Sequence, residues 1–262
     1  MMGDHFSEDS LRAVLGRRQF RFFEQVGSTQ DLAREWATAE PNLPSGAVVV
    51  AEEQTAGRGR QGRQWISPPD SAIMCSIIFR PRIRPEQLPR LTMVGGLAVA
   101  ETFAPMLPQG FTLKWPNDAM MNGKKLCGIL SEATWVGDQL VAVVVGIGIN
   151  IRTQFAGTDL EGAATSLETE MGRSVDRRDL LAALLARTDA WAGRVNETAL
   201  INSWRGWLGT IGKQVRIYDP VDGQLVFTGI AQDVDSDGTL LVKLESGEVR
   251  RVIAADVGLA ED

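Results

Sequence analysis

The stretch Gly57-Arg58-Gly59-Arg60-Gln61-Gly62-Arg63-Gln64-Trp65 decides how this chain is read. It carries three glycines, three arginines and no acid, and it ends on a tryptophan. It follows Gly46-Ala47-Val48-Val49-Val50-Ala51, an apolar, β-branched run that predicts a buried strand. Glycine lets a backbone approach a ligand closely. Unpaired N–H groups beside guanidinium groups suit a phosphate or a carboxylate. No Gly-Lys-Ser/Thr closes the loop, so it is not a Walker loop. Gly57, Gly59 and Gly62 have the G-x-G-x-x-G spacing, but arginines at two of the x positions fit a dinucleotide fold poorly. Taken alone, the segment reads equally well as a solvated basic loop.

Upstream, Phe20–Val26 alternates as a strand. Gly27-Ser28-Thr29-Gln30-Asp31 then turns into a helix reaching about residue 39. Ser28 or Thr29 is a natural N-cap, with Asp31 in the favourable first turn. The same hydroxyls are equally placed to face a ligand. Residues 47–53 form the strand that feeds the loop, and Gln54 after it carries both a donor and an acceptor. Downstream, residues 72–80 read as a strand. Residues 86–107 read as a helix in which Gly95-Gly96 marks close packing.

Phe111-Thr112-Leu113-Lys114-Trp115-Pro116-Asn117-Asp118 puts a lysine at a strand end before a turn. Such a compact charge suits a carboxylate or an α-phosphate. An ordinary hairpin is the alternative, since Asn122-Gly123 adds a turn signal. Residues 126–132 and 139–149 are strands, and the second ends in Gly146-Ile147-Gly148-Ile149-Asn150. Glycines in a core strand mark a bulge or a close approach, and a ligand is the favoured visitor. Helices are expected at 176–194 and 197–208, with Trp191, Trp204 and Trp207 packing the core. After Gly212, short strands at 214–218, 224–233, 239–244 and 248–253 predict a small β-barrel. Asp235-Ser236-Asp237-Gly238 lacks the rest of a calcium loop and reads as a turn.

Composition narrows the function. A net charge of −6 argues against a general nucleic-acid binder and makes the arginine cluster a local feature. One histidine (His5) and two cysteines (Cys75, Cys127) disfavour His/Cys metal clusters, Ser-His-Asp catalysis and a disulfide framework. The N-terminal residues lack a basic-then-apolar leader, and no run of 18 apolar residues occurs. A cytoplasmic protein is therefore expected.

Four motifs together resemble the bacterial biotin–protein ligases, also called biotin–[acetyl-CoA-carboxylase] ligases. They are Gly57 to Trp65, Lys114 to Asp118, Lys125-Leu126-Cys127-Gly128-Ile129-Leu130-Ser131-Glu132, and Gly146 to Asn150, in the family's order and spacing. The resemblance covers essentially the whole chain. It implies an α/β fold of α+β type. Residues 1–210 would form a mixed-sheet, biotin/lipoate-ligase-like catalytic domain with helices on one side, and 211–262 a small SH3-like β-barrel. It implies ATP-dependent, Mg²⁺-assisted adenylation of biotin, then transfer to a lysine of a biotin carboxyl carrier domain.

By the same resemblance, Lys114, Arg58 and Arg60 are the catalytic positions. Ser28, Thr29, Gln30, Gln54, Arg58, Gly59, Arg60, Lys114, Gly146 and Gly148 are the biotin-binding set. Arg58, Arg60, Trp65, Lys114, Asn117 and Asn150 serve ATP. No metal ligand is assigned. Gln30 stands where the family usually has Asn, a longer amide with the same donor and acceptor. Some members carry an N-terminal helix-turn-helix domain. About 19 residues precede the first strand here, so repressor activity is not expected. Neither a nucleic-acid nor a membrane partner is expected, and a homodimer stays open. The alternatives are a lipoate–protein ligase and a non-catalytic ligand-binding regulator. A mixed anhydride hydrolyses readily, so the glycine-rich loop is expected to act as a lid that orders over its ligand.

Overall fold

Seven strands build the main sheet: β1 (Phe20–Val26), β2 (Ala47–Gln54), β3 (Ala72–Phe79), β4 (Phe111–Lys114), β5 (Asp118–Met121), β6 (Lys124–Val136) and β7 (Gln139–Asn150). The structure is a computed structural model and describes residues 4–107, 109–253 and 255–259. The strand order is β1-β2-β3-β7-β6-β5-β4. β1 and β2 run parallel, because helix α2 (Thr29–Ala39) carries the chain back between them. The other neighbouring pairs are antiparallel. β7 lies at the centre, and its run Val143-Val144-Val145 is buried on both faces, as a continuous β-branched run requires.

The two faces are covered differently. Val48, Val50, Ile77, Val145 and Ile147 share one apolar cluster with α3 (Pro89–Phe103), α5 (Arg177–Ala192) and α6 (Thr198–Trp207). Val49, Ile78, Ala142 and Val144 pack on the other face against Ala33, Trp36 and Ala37 of α2. This corrects the expectation of helices on one side: β2, β3 and β7 are apolar on both faces, so both need a cover. Since α2 packs on β2, β3 and β7, the same face stays accessible beyond β7.

Gly95 and Gly96 do bring α3 close to its neighbours. A Cβ on Gly95 would stand 3.1 Å from Ile129 Cγ2, and one on Gly96 3.3 Å from Leu113 Cδ1. Trp191 and Trp204 are buried in the core and Trp207 packs against it. A short helix, α4 (Leu167–Met171), follows the loop after β7.

The C-terminal region is a second, antiparallel sheet of β8 (Gln214–Tyr218), β9 (Leu225–Val234), β10 (Leu240–Lys243), β11 (Val249–Val252) and β12 (Asp256–Leu259), in the order β11-β10-β9-β8-β12. β12 was not anticipated: Asp256-Val257-Gly258-Leu259 is too short and too mixed to signal a strand without its partner β8. Trp115 ties the two sheets together. Its backbone N–H donates to Thr210 Oγ1 and its indole Nε1 to Gly238 O, both at 2.9 Å. Asp235 to Gly238 is a turn closed by Gly238 N donating to Asp235 O at 3.0 Å.

A buried ion network fixes the N-terminal segment. Arg177, the first residue of α5, is fully buried, and its Nη1 and Nη2 donate to the two oxygens of Glu52 at 2.9 Å each. Nη2 also reaches Asp70 Oδ1 at 3.0 Å and Asp4 O at 3.2 Å. Asp176 caps α5, as expected, accepting from Arg178 N at 2.8 Å.

His5 joins the same network, with Nδ1 2.8 Å from Asp70 Oδ1 and Nε2 3.2 Å from Glu24 Oε2. The bond to Asp70 raises the His5 pKa above the ordinary 6.5, against burial and with help from Glu52 and Glu24. A raised pKa contributes stability below the unfolded value and loses it as pH rises through the folded one. Amides of α1 (Glu8–Leu15), which follows His5, are therefore expected to lose protection as pH climbs above the ordinary histidine value of 6.5, after correction for intrinsic exchange. His5→Gln should flatten that dependence.

Candidate active site

A cavity of about 630 Å³ opens on the α2 face of the main sheet, beneath the segment from Gly57 to Trp65. That volume lies within the roughly 300–1,000 Å³ usual for small-molecule sites. Its floor is the centre of the sheet: Gly146 and Gly148 of β7 and Gly128 of β6. A Cβ on Gly148 would lie 2.6 Å from Trp65 Cε2, and one on Gly128 3.0 Å from Trp65 Cζ3. The indole thus rests on a glycine platform. A Cβ on Gly146 would lie 2.6 Å from Gln30 Oε1. The close approach that these glycines signalled is made by the chain's own Trp65 and Gln30.

One end of the cavity is neutral and polar. Gln54, at the end of β2, accepts from Thr29 N at 2.7 Å and from Thr29 Oγ1 at 3.0 Å. Thr29 Oγ1 is also 2.9 Å from Ser76 Oγ on β3. Ser28 caps α2 by accepting from Gln30 N at 3.2 Å. Gln30 donates through Nε2 to Val144 O at 3.1 Å, while its Oε1 accepts from Ser76 Oγ at 3.1 Å. Gln30 is therefore spent on the protein itself. The Gln54 amide nitrogen, whose partner is the weakly accepting Met74 sulfur at 3.4 Å, keeps donor capacity for a ligand.

The other end is cationic. Lys114 enters from the end of β4. Burial pulls its pKa down from the usual lysine value, with the Asp118 carboxylate opposing. Its ammonium has no hydrogen-bond or ion-pair partner among the described residues. Lys125, near the start of β6, holds Asp118 Oδ1 at 2.7 Å. Arg60 donates to Asn117 Oδ1 at 3.1 Å and to Ala255 O at 3.3 Å, and burial lowers its pKa against the pull of Asp256. Arg63 pairs with Asp256 of β12. The two ends sit over β3 and β5, three strand spacings apart, or about 14 Å. A long ligand, neutral and polar at its head and anionic at its middle, fits this gradient.

The roof is a narrow loop. Gly59 N donates to Arg63 O at 2.7 Å and Trp65 N to Gly57 O at 2.9 Å, around a tight turn at Arg60–Gly62 in which Gln61 (φ 56°) and Gly62 (φ 73°) are left-handed. Among the described residues, the group able to hold a metal is His5, Glu52 and Asp70, inside the N-terminal network where Arg177 already neutralises it.

Comparison with known proteins agrees with this geometry. Residues 22–150 match the biotin/lipoate A/B protein ligase family, and residues 210–259 match the biotin protein ligase C terminal domain. The chain is 36% identical to the biotin–[acetyl-CoA-carboxylase] ligase of Mycobacterium tuberculosis, over 95% of this chain and 94% of that one. It is 34% identical to the bifunctional ligase/repressor BirA of Bacillus spizizenii, over 89% of this chain and 72% of the relative. Its fold superposes on the biotin protein ligase from Aquifex aeolicus in complex with biotin and ATP, with a TM-score of 0.76, 27% identity, and coverage of 93% of this chain and 99% of that one. The chain belongs to the biotin protein ligase family.

Of the positions expected from the sequence, this family member brings Ser28, Thr29, Gln30, Gln54, Arg58, Gly59, Arg60, Trp65, Lys114, Asn117, Gly146 and Gly148 to the cavity wall. Asn150 is the exception. It is buried beyond the wall and donates to Thr165 O at 3.1 Å, because the last residue of β7 ties down the following loop. Sequence reasoning missed Lys125, Asp118 and Asp256. The first two lay inside quoted motifs, and their signal was an opposite-charge pair on adjacent antiparallel strands. Asp256 gave no local signal, since only the pairing of β12 with β8 carries it to the cavity.

Proposed function

We propose that this chain activates biotin with ATP and passes it to a lysine of a biotin carboxyl carrier domain. The observation that carries this reading is the gradient along the cavity, from neutral amides and hydroxyls over β3 to Lys114, Lys125 and Arg60 over β5. A ureido ring needs polar partners such as Thr29 and Gln54, whereas a dithiolane prefers an apolar slot. This favours biotin over lipoate.

In the first step, a carboxylate oxygen of biotin bonds to the α-phosphorus of ATP and pyrophosphate leaves. In the second, the acceptor amine bonds to the acyl carbon, AMP leaves, and the amine proton goes to solvent. Both partners of the first step are anionic. Lys114 and Arg60 offset that repulsion, most strongly in the transition state. Trp65 and Asn117 are assigned to the nucleotide, and Arg58 and Gly59 to the lid. Residues 1–210 are assigned to catalysis and 211–262 to the accessory domain.

Magnesium is best read as part of the substrate, arriving on ATP. The cavity carboxylates Asp118 and Asp256 are each engaged by a cation, Lys125 and Arg63, so they do not form a resident magnesium cage. No helix among the described residues is long and apolar enough to cross a membrane.

The deciding experiment is mass spectrometry of a biotin carboxyl carrier domain after incubation with this protein, biotin and MgATP. A gain of one biotin on the acceptor lysine, absent without ATP, supports the reading. A gain only with lipoate on a lipoyl domain, or none with either, overturns it. A second test concerns the platform. Gly148→Ala should push the Trp65 indole off the sheet and raise the KM for ATP about tenfold, with kcat little changed.

A further inference from the structure

Arg58 does not point freely into the cavity. Its Nη1 donates to Asp31 Oδ1 at 2.7 Å and its Nη2 to Glu132 Oε1 at 2.7 Å. Asp31 lies in the first turn of α2, and Glu132 lies on β6, beside Val144 of β7. The guanidinium therefore spans from the helix on one flank to the strand on the other. It does so one residue beyond Gln30, whose amide reaches Val144 O and Leu130 O on the same two strands. The bridge ties the glycine-rich loop to α2 and β6, on the flank where Gln30 is held. Glu132 has no other cation among the described residues, and its second oxygen is buried without a hydrogen-bond partner among them. Arg58 is thus the group that makes this carboxylate tolerable in place.

Glu132 stands seven residues along β6 from Lys125, about 23 Å at the usual strand rise, so the bridge is remote from Lys125, near which the phosphorus chemistry would occur. Loss of either carboxylate loosens the roof and leaves Lys114 and Arg60 in place. We propose that Asp31 and Glu132 are positioning residues that hold the loop down through Arg58 and so set how long the activated acyl group stays bound before transfer. This rests on the ligase reading above.

The test separates retention from chemistry. The full chain is loaded with labelled biotin and MgATP, then chased with excess unlabelled biotin, and the escape of labelled biotinyl-adenylate is followed. Pyrophosphate release in the first turnover is measured in parallel. Asp31→Asn and Glu132→Gln are each expected to speed escape about fivefold, with pyrophosphate release within about twofold of the unmodified chain. Escape from the double variant should match that from Arg58→Ala, since both remove the same bridge. Asp31→Glu, which keeps the charge, should restore slow escape. Unchanged escape in the double variant, or slowed pyrophosphate release with unchanged escape, would overturn the proposal and leave the ligase reading standing. No adenylate from the unmodified chain would overturn the ligase reading, and the proposal with it.

Discussion

Replacing Lys114 by methionine is expected to slow formation of the acyl-adenylate by about a hundredfold, or about 3 kcal/mol of transition-state stabilisation. Methionine keeps much of the apolar stem and removes only the charge. The ammonium lies partly buried at the cationic end and has no ion-pair partner among the described residues. Its field is therefore available to a ligand and not spent within the protein. The loss should fall on kcat for pyrophosphate release, with the KM for biotin moving little, because the neutral end is untouched. Transfer from added biotinyl-adenylate should survive better than adenylation. Adenylation within threefold of normal would remove Lys114 from the chemistry and leave Lys125 as the charge that matters. The pH profile supplies a second check. Burial lowers the Lys114 pKa, so the ammonium is lost earlier than an ordinary lysine as pH rises. The alkaline limb should accordingly begin below the usual lysine range, and Lys114→Met should abolish it.

Glu52→Ala should cost about 3–5 kcal/mol of stability, the usual penalty for stranding a buried charge. Arg177 is fully buried, and Glu52 supplies both oxygens that its guanidinium fork grips. Alanine leaves that guanidinium with the partly exposed Asp70, the Asp4 carboxylate 3.5 Å from its Nε, and two backbone carbonyls, Ala72 O and Asp4 O. A fall of about 10 °C in the thermal midpoint is expected for a chain of this size. The double variant Glu52→Leu/Arg177→Met removes both charges and should recover much of the loss. A single-variant midpoint within about 2 °C of normal would show that Asp4 and Asp70 together suffice to hold the arginine. Since Glu52 sits two residues before Gln54, the single variant should also raise the KM for biotin.

The reach of the sequence differed from element to element. The β1–α2–β2 unit, α3 and the β6–β7 hairpin carry their own periodicities and caps, so Ser28, Gly95 and Val143 to Val145 could be placed from local pattern. The same holds for the cavity positions on the Gly57 to Trp65 loop and at Lys114, which sit where a strand gives way to a turn. What stayed hidden depends on pairing across distance. β12 makes sense only beside β8, and with it Asp256. Arg177 carries no local signal of its burial, because nothing nearby in sequence says that Glu52 lies against it. The glycines of β7 were rightly read as a close approach. Local sequence did not say that Trp65 and Gln30 would be what approaches.

Gly146 and Gly148 lie in the central strand, flanked by β3 and β6, and not at an edge. Amides there open to solvent only when the whole sheet comes apart, whereas the loop above can lift by itself. A small molecule bound over that strand is therefore linked to global unfolding, by RT ln(1 + [L]/Kd), even if it leaves the loop unfastened. Thermal-shift screening of this protein should register every compound bound in the cavity, including those that leave the roof open. Compounds ranked by melting shift and by residence time should then fall in different orders, and the disagreement would itself measure how much of each ligand's binding comes from the lid.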